Sequence, residues 1–140
     1  MRWFAALLLV LYTVFVCRLT LADPSAGQPV FDAAYSWGDL LSGGRLRTDQ
    51  IEMLANIALF IPAGLLLAVV LRRPVVAAGL LVLVSVCIEL AQQRWFPSRV
   101  PSVADVEHNG LGAALGALTA WVLGIVCYPE LHSVHGSPAP

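Results

Sequence analysis

The chain has 140 residues, 59% of them apolar and only 12% charged, with a net charge of −1. Soluble domains carry about 25% charged residues, so this composition points to a bilayer as the solvent, and the near-neutral balance leaves no basic footprint for nucleic acid. At roughly 20 apolar residues per crossing, four helical spans occupy most of the chain and exclude a separate soluble module.

The first apolar run covers about 3–22, from Trp3 to Ala22, behind Arg2. Thr20-Leu21-Ala22 has the small-residue character of a signal cleavage site, but signal h-regions run to only about 7–15 residues. An apolar stretch of nearly full span length, with Arg18 placed to snorkel near its far end, reads as an uncleaved span. Asp23 to Gln50 is the one long polar segment, punctuated by Pro24, Gly27, Pro29, Gly38, Gly43 and Gly44. Phe31, Tyr35 and Trp37 within it suit an aromatic anchor at the membrane surface, and Asp32–Leu41 is expected to form a short interfacial helix.

The second span is expected over 51–71. Pro62 and Gly64 interrupt it, and neighbouring helices can satisfy the backbone groups they free. Arg72-Arg73-Pro74 is a tight basic turn, with Pro74 suited to the first turn of the next helix. The third span is expected over 75–93, followed by a loop from Arg94 to Ala104 that contains Pro97 and Pro101. Ser102 is a candidate cap for the fourth span, expected over 105–127. Pro129 ends that span and begins a polar tail. The expected architecture is all-α: one bundle of four transmembrane helices over 1–128, with a disordered tail at 129–140.

Consecutive spans alternate in direction. The amino terminus, the Arg72-Arg73 turn and the tail share one side, and the Asp23–Gln50 and Arg94–Ala104 loops share the other. Arg18, Arg45, Arg47, Arg94 and Arg99 all lie toward the second side, so a bare count of cations does not orient the chain. The paired arginines sit in a very short turn, where the positive-inside rule is strongest. That places the amino terminus in the cytoplasm and makes the chain a multi-pass protein of the plasma or inner membrane.

Polar side chains inside spans are costly and normally face the bundle interior. Ser85, Glu89 and Gln92 are spaced i, i+4, i+7 and share one helix face. Asp105, Asn109, Gly112 and Gly116 share another, and Glu52 and Asn56 lie four apart near the start of the second span. Antiparallel spans bring Asn56, Glu89, Asp105 and Asn109 to the same end of the bundle. Arg94, Arg99 and His108 lie in or beside the adjoining loop, where Arg99 or Arg94 can pair the acids. A polar pocket on one membrane face follows if the three faces turn inward together. The plainer reading is that these groups hold helices together, at about 0.6 kcal/mol per contact.

Gly112-Ala113-Ala114-Leu115-Gly116 is a small-x-x-x-small pattern that lets backbones approach. It serves either packing within the chain or a homo-oligomer through the Gly112/Gly116 face. Cys17, Cys87 and Cys127 each sit in an apolar run with no C-x-x-C pairing, and read as small buried apolar side chains. His132 and His135 in the tail lack acid or Cys partners, so no metal and no cofactor are expected. There is no phosphate loop, nucleophile elbow or H-E-x-x-H.

Taken in order, Asn56-x-x-x-Phe60-Ile61-Pro62-x-Gly64, Ser85-x-x-x-Glu89-x-x-Gln92, Arg99, and Asp105-Val106-x-x-Asn109-x-x-Gly112 with Gly116 resemble the VanZ-like family. The resemblance covers about Leu54 to Leu123, and its strength lies in order and spacing together. It implies a small bacterial multi-span membrane protein, related to an accessory protein linked to low-level resistance to the glycopeptide teicoplanin. It also points to Asn56, Glu89, Gln92, Arg99, Asp105 and Asn109 as ligand-binding residues. One departure is that Ser102 and Ala104 stand where the family often has an acid, which leaves Glu89 and Asp105 as the candidate catalytic pair.

Three functions are therefore expected to compete. One is a cell-envelope accessory protein whose extracytoplasmic pocket takes a lipid head group or glycopeptide-like ligand. The second is a membrane-embedded enzyme acting on an envelope lipid or glycan, with Glu89 or Asp105 as general acid or base and Arg99 holding an anionic group. The third is a structural or partner-binding bundle using the glycine face.

Overall fold

The computed structural model describes residues 2–21, 24–95 and 102–127. They form five helices: α1 Arg2–Leu21, α2 Pro24–Ser42, α3 Thr48–Leu71, α4 Pro74–Trp95 and α5 Val103–Cys127. The described residues contain no strand, as the all-α expectation requires. Three of these helices, α1, α3 and α4, are each long and apolar enough to cross a membrane. The sequence-based expectation was four. α5 opens with Asp105, Glu107, His108 and Asn109, so its apolar stretch begins only at Gly110.

The larger correction is α2. Asp23–Gln50 was expected to be a polar loop with a short helix over Asp32–Leu41, yet the helix runs from Pro24 to Ser42. Several of the apparent breakers are placed where they do little harm. Pro24 occupies the first position, where its missing N–H costs nothing, while Pro29 lies inside the helix and forfeits one hydrogen bond. Gly38 is required by packing, because a Cβ there would meet the Ile51 side chain at 2.9 Å. The helix stops at Gly43 and Gly44, with φ of 62° and 75°. The Gly44 N–H donates back to the Asp39 carbonyl at 3.0 Å, a left-handed glycine terminus.

At the start of α3 the Arg47 N–H donates to Gln50 Oε1 at 2.9 Å, one half of a capping box. It continues through Pro62 and ends at Arg72, whose φ is 56° and whose N–H donates to the Ala68 carbonyl. Pro74 then opens α4 as expected.

Side-chain bonds fix the directions. Arg2 at the start of α1 donates to the Val70 carbonyl at the end of α3, at 2.9 Å. The Tyr12 hydroxyl donates to the Leu59 carbonyl at 2.6 Å, so α1 and α3 are antiparallel. Gln92 near the end of α4 reaches the Thr20 carbonyl at the end of α1, at 2.8 Å. α1 and α4 thus run one way, and α3 and α5 the other.

α3 and α5 form the tightest pair. A Cβ added at Gly64, Gly112 or Gly116 would overlap the carbonyl of Ala113, Ile57 or Ile61 respectively. The small-residue face of α5 is therefore occupied by α3 of the same chain. The core is small: Phe60, Ala63, Leu81, Ile88 and Ala113 form one buried cluster, and Ala68, Ala77 and Ala117 another. Large apolar side chains point outward instead, among them Leu7, Leu11 and Phe15 of α1, Leu83 and Leu90 of α4, and Leu118 and Val122 of α5. Lipid tails solvate such a surface, so a membrane bundle can reserve its interior for close-packing small residues. The same inversion corrects the cysteines: Cys17 and Cys87 are exposed on outward faces rather than buried. The side chain of Cys127, along with Arg99, His132 and His135, lies outside the described residues.

Candidate functional site

The end of the bundle holding the α3 and α5 N-termini carries the polar groups. Ser102 caps α5, its Oγ accepting the Asp105 N–H at 3.3 Å. This holds Asp105 in the first turn, where a carboxylate is favoured by the helix dipole. Asn56, on α3, donates from Nδ2 to Asp105 Oδ1 at 2.9 Å. Glu89, near the end of α4, accepts the Ser102 N–H at Oε2, at 3.1 Å. One turn deeper on each helix, Asn109 and Ser85 meet: Asn109 Nδ2 donates to Ser85 Oγ at 2.9 Å, with both residues buried. Gln92 closes the α1 side by donating to the Thr20 carbonyl, one of the terminal helix carbonyls with no partner in its own helix.

These groups surround one cavity of about 260 Å³. That is slightly below the roughly 300–1,000 Å³ of pockets that hold drug-sized ligands and suits a head group. Asn56, Glu89, Gln92, Asp105 and Asn109 all line it, so five of the six residues singled out in the sequence come together. The sixth, Arg99, lies outside the described residues. Leu19, Phe31, Leu59, Phe60 and Ile88 make up the apolar part of the wall. Among the described residues, no group of three or more His, Cys, Asp or Glu side chains is placed to hold a metal ion.

The sequence reading placed Glu52 beside Asn56 without assigning it to the site, and it did not connect α2 to the site at all. Glu52 lines the cavity and accepts a hydrogen bond from the Tyr35 hydroxyl of α2, while Phe31 of α2 supplies part of the wall. Phe31, Tyr35 and Gly38 are spaced i, i+4, i+7, the helical period that identifies one face. That face is the one α2 turns toward the bundle.

The hydrogen bond to Glu52 holds the Tyr35 phenol protonated and pushes its pKa up to about 12, with burial and the charges of Glu52 and Asp32 adding to the effect. The folded pKa lies above the unfolded value of about 10. The contribution of this contact to stability is therefore fully present below about pH 10 and fades as pH rises through about 12. The tyrosinate absorbance lost in Tyr35→Phe should titrate well above 10, and Glu52→Gln should bring that component back toward 10. A component titrating at 10 in both backgrounds would show that the latch between α2 and α3 does not form.

A family model described as VanZ/LLP1 matches residues 3–124 of the chain. No curated protein and no solved structure matches it.

Proposed function

The chain belongs to the VanZ/LLP1 family, and from that premise we propose a multi-pass membrane protein of the cell envelope that holds a polar head group, of a lipid or a glycopeptide-like ligand, in the cavity at the α3 and α5 N-termini. In this reading α5 is a fourth crossing. It runs parallel to α3 in backbone contact from Gly112 to Gly116, and its outer face carries exposed Leu111, Leu115, Leu118 and Val122. The Arg72-Arg73 turn lies at the same end as the amino terminus, since Arg2 is bonded to Val70. Positive-inside placement of that short turn puts the cavity on the extracytoplasmic face.

The observation that carries the proposal is convergence. Asn56, Glu89, Gln92, Asp105 and Asn109 come from three helices and line one space with an apolar rear wall. Each also joins a pair of helices, but packing alone does not require those pairs to meet around one space. The test uses the full chain in membranes. Asn56→Ala, Glu89→Ala and Asn109→Ala should accumulate in the membrane and retain polar lipid at least about tenfold less well on native mass spectrometry, the worth of one or two lost hydrogen bonds. Variants that fail to accumulate would mean that the network serves packing. A cysteine placed at Ser42 should react with an impermeant maleimide from outside intact cells; labelling only after lysis would reverse the orientation.

Glu89 also supports a second reading as a membrane-embedded enzyme. It lines the cavity, and Ser102 engages Oε2 and leaves Oε1 for a substrate proton. Conversion of an envelope lipid that is abolished by Glu89→Gln would establish this role, and unchanged conversion would exclude Glu89 as the acid or base.

A further inference from the structure

α1 carries a second hollow on its outer side. Thr13, Val14, Cys17, Arg18 and Leu21 line a shallow groove of about 420 Å³. Their spacing of i, i+1, i+4, i+5, i+8 places them on one helix face. It shares no residue with the head-group cavity, to which α1 contributes Leu19 and Thr20. The groove follows about 12 Å of helix, at about 1.5 Å per residue. Because α1 is long and apolar enough to cross a membrane, the groove lies against acyl chains over most of that length. Its floor suits them. Val14 and Leu21 are apolar, Cys17 packs as a small hydrophobe, and the Thr13 hydroxyl is turned back to donate to the Leu9 carbonyl at 2.8 Å.

Arg18 breaks this pattern. It lies three residues before the end of α1 at Leu21, about 4.5 Å inside the helix. From there its side chain reaches the membrane surface by snorkelling. The other cation of α1, Arg2, spends its guanidinium on the Val70 carbonyl. Arg18 is exposed, and the ion pair formed among the described residues is Arg47 with Asp49, at another place. A guanidinium at the edge of the hydrocarbon is costly unless an anion answers it.

We propose that the groove is a site for an anionic phospholipid, with the phosphodiester on Arg18 and one acyl chain along Val14, Cys17 and Leu21. The proposal needs α1 as a span and is independent of the head-group reading. The planar guanidinium fork matches two phosphate oxygens at once. A zwitterionic lipid offers the same phosphate but brings its own ammonium to compete for it, whereas a net-negative lipid leaves it to the protein.

The experiment is native mass spectrometry of the full chain offered equimolar phosphatidylglycerol and phosphatidylcholine. Phosphatidylglycerol should be retained about fivefold better or more, the worth of one arginine at an anionic surface. Arg18→Gln should abolish the preference, and Arg18→Lys, which keeps the charge without the fork, should keep part of it. Cys17→Trp should also reduce it with the guanidinium intact, by filling the groove; Cys17 is exposed, so the larger side chain does not disturb the core. Arg45→Gln, which removes an exposed cation at the same end of the bundle but outside the groove, should leave the preference unchanged.

Equal retention of the two lipids by the unmodified chain would overturn the proposal, as would a preference that survives Arg18→Gln. An equal loss in Arg45→Gln would reduce the effect to general surface charge, and full retention in Cys17→Trp would mean that no chain lies in the groove; either result overturns the site. Arg18 and Cys17 do not line the head-group cavity, so none of these outcomes decides that reading.

Discussion

Gly116→Leu should fail to accumulate as a folded protein, whereas Gly124→Leu, two turns further along the same helix, should be tolerated. A Cβ at Gly116 would overlap the Ile61 carbonyl and stand 2.7 Å from the Leu65 amide nitrogen. Both are backbone atoms of α3, so no side-chain rotation can relieve the clash, and α5 has to move away from α3. That movement also opens the approaches of Gly64 to Ala113 and of Gly112 to Ile57. Overpacking a well-packed interior typically costs about 1–3 kcal/mol, occasionally more. Here one substitution breaks a row of contacts at once, so a loss of about 3 kcal/mol or more is expected, a large part of the stability of an ordinary domain. A Cβ at Gly124 meets nothing within 4 Å. Titration of the purified variants from mild detergent into a denaturing one, alongside their yield in membranes, measures the difference. Equal stability of the two would mean that α3 and α5 are not in backbone contact.

The second large effect concerns the pair that joins the same two helices through side chains. Asn56→Ala leaves the Asp105 carboxylate without the Nδ2 donor 2.9 Å away, and Asp105→Ala leaves that amide without its acceptor. Stranding one partner of a half-buried hydrogen bond costs about 1–3 kcal/mol. Removing both leaves no such orphan in this contact, so the double variant should be more stable than the sum of the two losses requires. A coupling of about 1 kcal/mol or more is expected from the same unfolding titration. All three variants should lose head-group retention, because stability and binding draw on the same atoms differently. The double variant restores the balance of polar groups between the helices without restoring the wall of the cavity. Strictly additive losses would show that Asn56 and Asp105 do not share a bond.

Much of this arrangement was legible in the order of residues. The i, i+4, i+7 spacing of Ser85, Glu89 and Gln92, with the alternation of span direction, was enough to bring Asn56, Glu89, Asp105 and Asn109 to one end. The structure joins them there through Ser102, Ser85 and the Thr20 carbonyl. Ser102 as the α5 cap was readable as well. What escaped the sequence was tertiary. Pro24, Gly27 and Pro29 look like helix breakers, and so α2, which begins at Pro24, was expected only from Asp32. Cys17 and Cys87 were assigned to the interior by their apolar company, but in a lipid-facing bundle apolar company lies outside. The start of α5 carries part of the polar site, and its apolar stretch begins only beyond Asn109.

The backbone seam between α3 and α5 also determines which walls of the cavity can yield. Helices whose carbonyls lie against glycines at Gly64, Gly112 and Gly116 cannot slide by a turn, because any other register places a side chain where only hydrogen fits. Asn56, Asp105 and Asn109 ride on that fixed frame, so their mutual positions are set before any ligand arrives. The opposite side is held differently. Phe31 belongs to α2, which the Tyr35 to Glu52 hydrogen bond ties to α3 there, whereas α4 is held by Glu89 to Ser102, Ser85 to Asn109 and Gln92 to Thr20. The wall held least firmly is therefore the one that α2 supplies, across from the fixed frame of α3 and α5.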